Sequence, residues 1–211
     1  GMYSMAATLA AAPFQFVSIA SQVMMPAFSE KQTDTAWINK WIFNITQFLV
    51  FAGMPLLVFT ALYGRNILHI VYGEQYGAVA VPFAIIFSTQ LIYSIGVPIA
   101  TVYLSIGRPE LHRVFTALRT VIIVLLIVPA IKAFGLPGAA AAGLIAIIVA
   151  YWVQINRLAR LIGFKVSAMA ALFPKAACAS LGIVVVWFAT NSIKTVSAIS
   201  PRGVEVPCTL M

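Results

Sequence analysis

Six long, mostly apolar segments dominate the sequence, at about residues 3–28, 41–63, 78–106, 114–134, 136–156 and 166–191. A helix needs about 20 apolar residues to cross a hydrocarbon core about 30 Å thick, and each segment is long enough. Inside lipid the backbone must satisfy its own hydrogen bonds, which leaves helices or closed barrels. Runs this long lack the alternation of a barrel strand. The sequence therefore predicts an all-α, polytopic bundle of six transmembrane helices, residues 1–191, followed by a poorly ordered tail, 192–211, on the extracytoplasmic side. Only 9% of the residues are charged and 62% are hydrophobic, against about 25% charged in soluble domains.

The net charge of +8 is spread between the apolar runs. It reads as a topology signal and not as a nucleic-acid surface. The first, third and fifth connections hold Lys31, Lys40, Arg108, Arg113, Arg157, Arg160 and Lys165, with Arg119 just beyond. The opposite side holds Arg65, Lys132, Lys194 and Arg202, half as many. The basic-rich side, near residues 30–40, 107–113 and 157–165, is expected in the cytoplasm. The first segment has no basic leader and reads as a span, not a cleaved signal. A Gly-Met start at the edge of a span reads as an internal piece of a longer protein. Cys178 and Cys208 form no disulfide pattern.

Two connections carry more detail. In FGLPGAAAA, residues 134–142, Gly135, Pro137 and Gly138 predict a tight antiparallel hairpin. Small residues at 138, 139, 142, 143 and 146 then let helices approach closely. Residues 64–77, bracketed by Tyr63, Tyr72 and Tyr76, predict a short helix lying at the outer interface. Pro13, Pro55, Pro82, Pro98, Pro129 and Pro174 fall in or near the spans, where each removes a backbone donor.

The chemistry is that of a transporter rather than an enzyme. All five acids, Glu30, Asp34, Glu74, Glu110 and Glu205, lie between or beyond the apolar segments. A proton or sodium relay usually needs an embedded carboxylate. There is no phosphate-cradling glycine loop, no metal-ligand spacing around His69 or His112, and no nucleophile beside a base. No catalytic residue, metal or cofactor is expected.

Polar residues inside the spans are the candidates. Ser4, Thr8, Gln15, Ser18, Gln22 and Ser29 fall on one side of the first helix. Interhelical hydrogen bonds account for any one of them. A seam is normally built from Gly, Ala and Ser, so Gln15, Ser18 and Gln22 together fit a water-filled cavity better. Gln90 and Ser94 share a face of the third helix, beside Tyr93, and Asn44 and Gln47 sit on the second. Arg119 lies about six residues into its segment and Lys175 about nine. An embedded cation costs about 2.5–3.5 kcal/mol unless it snorkels. Arg119 is near enough to an end to do so, whereas Lys175, beside Pro174, is deeper. Cations without an embedded acidic partner suit an anionic group such as a diphosphate. The substrate-cavity candidates are thus Gln15, Ser18, Gln22, Gln90, Ser94, Arg119 and Lys175.

Several motifs in order resemble one family. GMYSMAATLAAAP with VMMPAFSE, then PLLVFTALYGRNILHIVYGEQY, SIGRPELHR and FGLPGAAAA, are similar to the C-terminal lobe of bacterial polysaccharide flippases of the multidrug/oligosaccharidyl-lipid/polysaccharide exporter superfamily. The resemblance spans about residues 1–165. It implies two six-helix lobes around a central cavity in the bacterial inner membrane, with the N-terminal lobe missing from this chain. It implies alternating-access transfer of an undecaprenyl-diphosphate-linked oligosaccharide for O-antigen or exopolysaccharide synthesis. The implied partners are that anionic lipid, membrane lipids and polysaccharide polymerase or assembly proteins. The tail, SPRGVEVPCTLM, matches no family element. The alternatives are a cation-coupled drug exporter of the same superfamily and a non-transporting scaffold of polysaccharide assembly.

Overall fold

The structure, a computed structural model, describes residues 1–163 and 166–189. Among them the fold is all-α. Helix α1 (Met2–Ala11) and helix α2 (Gln15–Glu30) are joined by a 3-10 turn, Ala12–Phe14. Pro13 lacks the N–H that a continuous α-helix would use there. Ala12 (φ −51°, ψ −46°) and Gln15 (φ −60°, ψ −34°) stay right-handed, so the two helices form one kinked rod. Phe28 closes the following turn by meeting Trp37 and Trp41 edge-on, at 5.6 and 4.7 Å.

Helix α3 (Thr35–Tyr72) begins where the Asp34 side chain accepts from the Trp37 N–H at 2.9 Å, a standard N-cap. It runs for 38 residues, about 57 Å at 1.5 Å per residue. The separate interfacial helix expected within 64–77 is therefore not formed: α3 continues to Tyr72, and a 3-10 turn, Glu74–Val79, follows. The reason is packing. Gly64 is buried, and a Cβ there would lie 3.3 Å from the Phe83 ring. Its glycine serves a close helix crossing, not a turn. The break falls instead at Gly73, whose φ of 99° suits glycine.

Helix α4 (Ala80–Ser105) is the centre of the bundle. It has no charged residue and touches α1, α2, α3 and α5. A helix apolar on all sides belongs in the interior. Its buried residues include Phe87, Leu91, Ile95, Ile99, Val102 and Tyr103. On α3, Gly53 leaves room for Leu91.

Helix α5 (Pro109–Ile162) is two helical legs that meet at Gly135, whose backbone is not helical (φ 62°, ψ −139°). Phe115 on the first leg packs with Ile147 and Ala150 on the second. In a straight helix those residues would be about 50 Å apart, so the legs run antiparallel, as the FGLPG stretch predicted. Gly138 backs directly onto the Ala130 carbonyl. Each leg has roughly 26 residues, or about 39 Å, enough to cross a bilayer. Among the described residues five apolar helical stretches are long enough to span, Met2–Glu30, Thr35–Tyr72, Glu74–Ser105, Pro109–Ile162 and Val166–Ala189, and the fourth is long enough to do so twice.

The second leg buries the row Gly138, Ala142, Ala146, Ala150, Gln154 and Leu158. Spaced by four, these form one ridge. The first leg leaves Val121, Val124, Leu125, Val128 and Ile131 exposed, an apolar surface suited to lipid. Helices α6 (Val166–Ala170) and α7 (Leu172–Ala179) complete the described chain, which stays helical to Ala189 apart from turns at Ala171 and Ser180. The connections are shorter than the loops expected near 30–40, 107–113 and 157–165, because 35–40, 109–113 and 157–162 are helical. The expected tail, 192–211, lies outside the described residues.

Candidate functional site

The polar stripe on α2 faces outward. Gln15, Ser18, Gln22 and Ser29 are all exposed. The serines return their hydroxyl hydrogens to their own helix, Ser18 to the Gln15 carbonyl at 3.2 Å and Ser29 to the Met25 carbonyl at 3.1 Å. Neither glutamine amide bonds to another described residue. Pro26, inside α2, also removes the donor that would normally reach the Gln22 carbonyl. Gln22 thus presents unmet donors and acceptors.

Ser18, Ser21 and Gln22 form one wall of a cleft of about 200 Å³. Tyr93, Gly96 and Thr101 of α4 form the floor, and His112 and Phe115 of the first α5 leg form the other wall. His112 stacks on Phe115 at 5.9 Å, and its Nδ1 is buried with no hydrogen-bond partner. One turn further along, Arg119 holds its guanidinium carbon 5.4 Å from the centre of the Tyr93 ring. This is cation–π geometry. The Arg119 Nε is buried and has no partner.

Arg119 is deeper than its place in the sequence predicts. Because α5 begins at Pro109, with proline at a first-turn position, Arg119 lies about 15 Å along the axis, near the middle of the first leg. Its contact with Tyr93 also holds it against α4 rather than letting it reach toward the helix end.

The structure unites three of the seven sequence candidates, Ser18, Gln22 and Arg119, through Tyr93. Gln15 lies on the same helix face beyond the cleft wall. Ser94 is buried and donates to the Gln90 carbonyl at 2.8 Å. Neither Gln90 nor Ser94 lines the cleft. Lys175 is exposed on α7 and is not a lining residue. Ser21 and His112 were not foreseen. The spacing His112, Phe115, Arg119 marks one helix face, but only if the helix starts at Pro109.

Glu30, Asp34, Glu74 and Glu110 lie at helix ends or in turns. None lines the cleft. Among the described residues, no three His, Cys, Asp or Glu side chains come together to hold a metal. The arrangement is rich in donors and positively charged. It suits a ligand with an anion and hydroxyl groups.

Residues 1–82 match the model of a family described as polysaccharide biosynthesis protein. That region spans α1, α2, α3 and the start of α4, and so includes one wall of the cleft. No curated protein and no solved structure matches the chain. The match supports a role in polysaccharide biosynthesis for a chain built of membrane-length helices.

Proposed function

We propose that this chain is part of a flippase. It moves an undecaprenyl-diphosphate-linked oligosaccharide between leaflets of the bacterial inner membrane by alternating access, together with a second six-helix lobe. It is a transporter and not an enzyme, and its product passes to polysaccharide polymerase or assembly proteins. The observation that carries this reading is Arg119. Its guanidinium is held mid-leg on Tyr93 with Nε unpaired, beside a cleft whose polar side chains are Ser18, Ser21, Gln22, Tyr93, Thr101 and His112, none of them a carboxylate. A diphosphate supplies what an unpaired guanidinium lacks, since paired charge-assisted hydrogen bonds to phosphate are strong. The family match at residues 1–82 supports the glycan part of the substrate.

The test is a translocation assay in cells with Arg119→Ala, Gln22→Leu, Gln15→Leu and Lys175→Ala. Arg119→Ala is expected to insert normally and to lose translocation about tenfold or more, the effect of one charge-assisted bond. Gln22→Leu follows with a smaller loss, and Lys175→Ala stays near wild type. If Arg119→Ala translocates normally, the cleft does not hold the anion. If every variant only lowers the amount of folded protein, the scaffold reading replaces this one.

A further inference from the structure

We propose that the outward face of α3 formed by Asn44, Gln47, Phe48 and Phe51 is a carbohydrate subsite, separate from the Arg119 cleft. It takes the neutral sugar of the lipid-linked glycan while the cleft takes the anion. The proposal rests on the flippase reading above for the identity of the glycan.

Helical geometry puts these four residues within about 100° of one another around the axis. They line an open groove of about 350 Å³. Small-ligand sites run to about 300–1,000 Å³. Phe48 is 55% exposed and Phe51 37%, and both amides are exposed. Neither Asn44 nor Gln47 makes a side-chain hydrogen bond among the described residues.

Asn39, on the same helix, behaves differently. It is half-buried and donates to the Ile162 carbonyl at 2.8 Å. That amide closes the bundle, whereas Asn44 and Gln47 have no such duty. An unpaired amide facing hydrocarbon is strongly disfavoured. This face therefore looks onto water or a polar ligand.

The chemistry identifies the ligand. Each amide offers donors and acceptors together, which is what a ring of hydroxyls requires. The faces of Phe48 and Phe51 carry negative quadrupole density, which attracts the polarised C–H groups on the flat side of a pyranose. None of the four residues is charged, so the face selects a neutral group, in contrast to the cleft. Phe48 also meets Phe16 edge-on at 6.4 Å. Phe16 adjoins Gln15, and the α2 stripe continues from Gln15 through Ser18 to Gln22 in the cleft. The Phe16–Phe48 contact therefore sets this face of α3 beside α2, the helix that carries the Gln15, Ser18 and Gln22 stripe.

The test uses the full-length protein in native membranes. In a Cys178→Ser, Cys208→Ser background, Asn44→Cys and Gln47→Cys are treated with a water-soluble maleimide. Thr33→Cys in the α2–α3 turn is the accessible control, and Leu56→Cys on another face of α3 is the lipid-facing control. Labelling of positions 44 and 47 near the turn rate is expected. Labelling as slow as at Leu56→Cys means that lipid or a protein partner covers the face, and the subsite is wrong.

Binding is then measured in nanodiscs with undecaprenyl diphosphate, bare or bearing a hexose or N-acetylhexosamine. The Asn44→Leu, Gln47→Leu double variant is expected to bind a glycosylated lipid about tenfold more weakly and the bare lipid unchanged. Arg119→Ala should weaken both. Equal effects of the double variant on bare and glycosylated lipid, or no effect, reject the subsite alone. Failure of the wild type to bind any of the three lipids rejects the flippase reading, and the subsite falls with it.

Discussion

Two regions of this bundle contain similar residues and treat them in opposite ways. Along the seam between α4 and the second leg of α5, polar groups are buried and bridge the two helices, with only Gln154 Oε1 left over. Gln154 is 2% exposed and donates to the Gly96 carbonyl at 3.4 Å. Tyr103 donates to the Gln154 carbonyl at 2.9 Å. On the side formed by α2, α3 and the first leg, the amides of Gln15, Gln22, Asn44 and Gln47 have no partner among the described residues. There, Arg119 Nε and His112 Nδ1 are buried and unpaired. A polar residue in a membrane helix is thus not one kind of signal. In the seam it fixes how helices meet, and on the opposite side it waits for something to bind.

Steric change in the α5 hairpin, which carries the second leg to that seam, should be the most damaging. Gly138→Val places a Cβ against the Ala130 backbone, and backbone cannot swing aside as a side chain can. The hairpin has to open, at a cost near the upper end of the usual overpacking range, about 3 kcal/mol. The expected result is loss of folded protein, read by fluorescence-detected size exclusion. Gly143→Val is the control, because open space surrounds that position. Equal damage from both would mean that the hairpin is not held by close approach at Gly138.

A sharper contrast comes from the same substitution made once in each region. Gln22→Leu is expected to leave the melting temperature in detergent within error and to lower translocation about three- to tenfold, the worth of one hydrogen bond. Gln154→Leu should do the reverse, with translocation kept and stability shifted by about 1 kcal/mol. The shift is small because Gln154 Oε1 is already unpaired, so leucine removes one long bond together with one unmet acceptor. If Gln154→Leu lowers transport without changing stability, the seam takes part in function and the division fails.

Much of the seam was legible in the sequence. Membrane-length apolar runs announce helices on their own, and Gly135 and Pro137 mark the reversal because few residues tolerate φ of 62°. The row of small residues from Gly138 also pointed to close packing. What escaped depends on partners far along the chain. Gly64 looks like a turn until Phe83 is placed against it. The depth of Arg119 follows from a helix that starts at Pro109 and from an aromatic neighbour on α4. Lys175 and Arg119 both fall within membrane-length stretches, yet only Arg119 meets the cleft, through Tyr93, while Lys175 is no part of its lining.

The smallest expected effect tests how local the seam's polar contacts are. Tyr103→Phe removes one hydroxyl and keeps the ring in its fully buried site. The lost bond to the Gln154 carbonyl is worth about 1 kcal/mol. That carbonyl can still accept its ordinary helical partner, so only one of its two lone pairs is left without a donor. A modest fall in melting temperature with unchanged translocation is expected. Combining it with Gln154→Leu should give less than the sum of the two losses, because both changes loosen the same crossing of α4 and α5. Full additivity would mean that the two contacts are independent and that the apolar ridge alone holds the legs to α4.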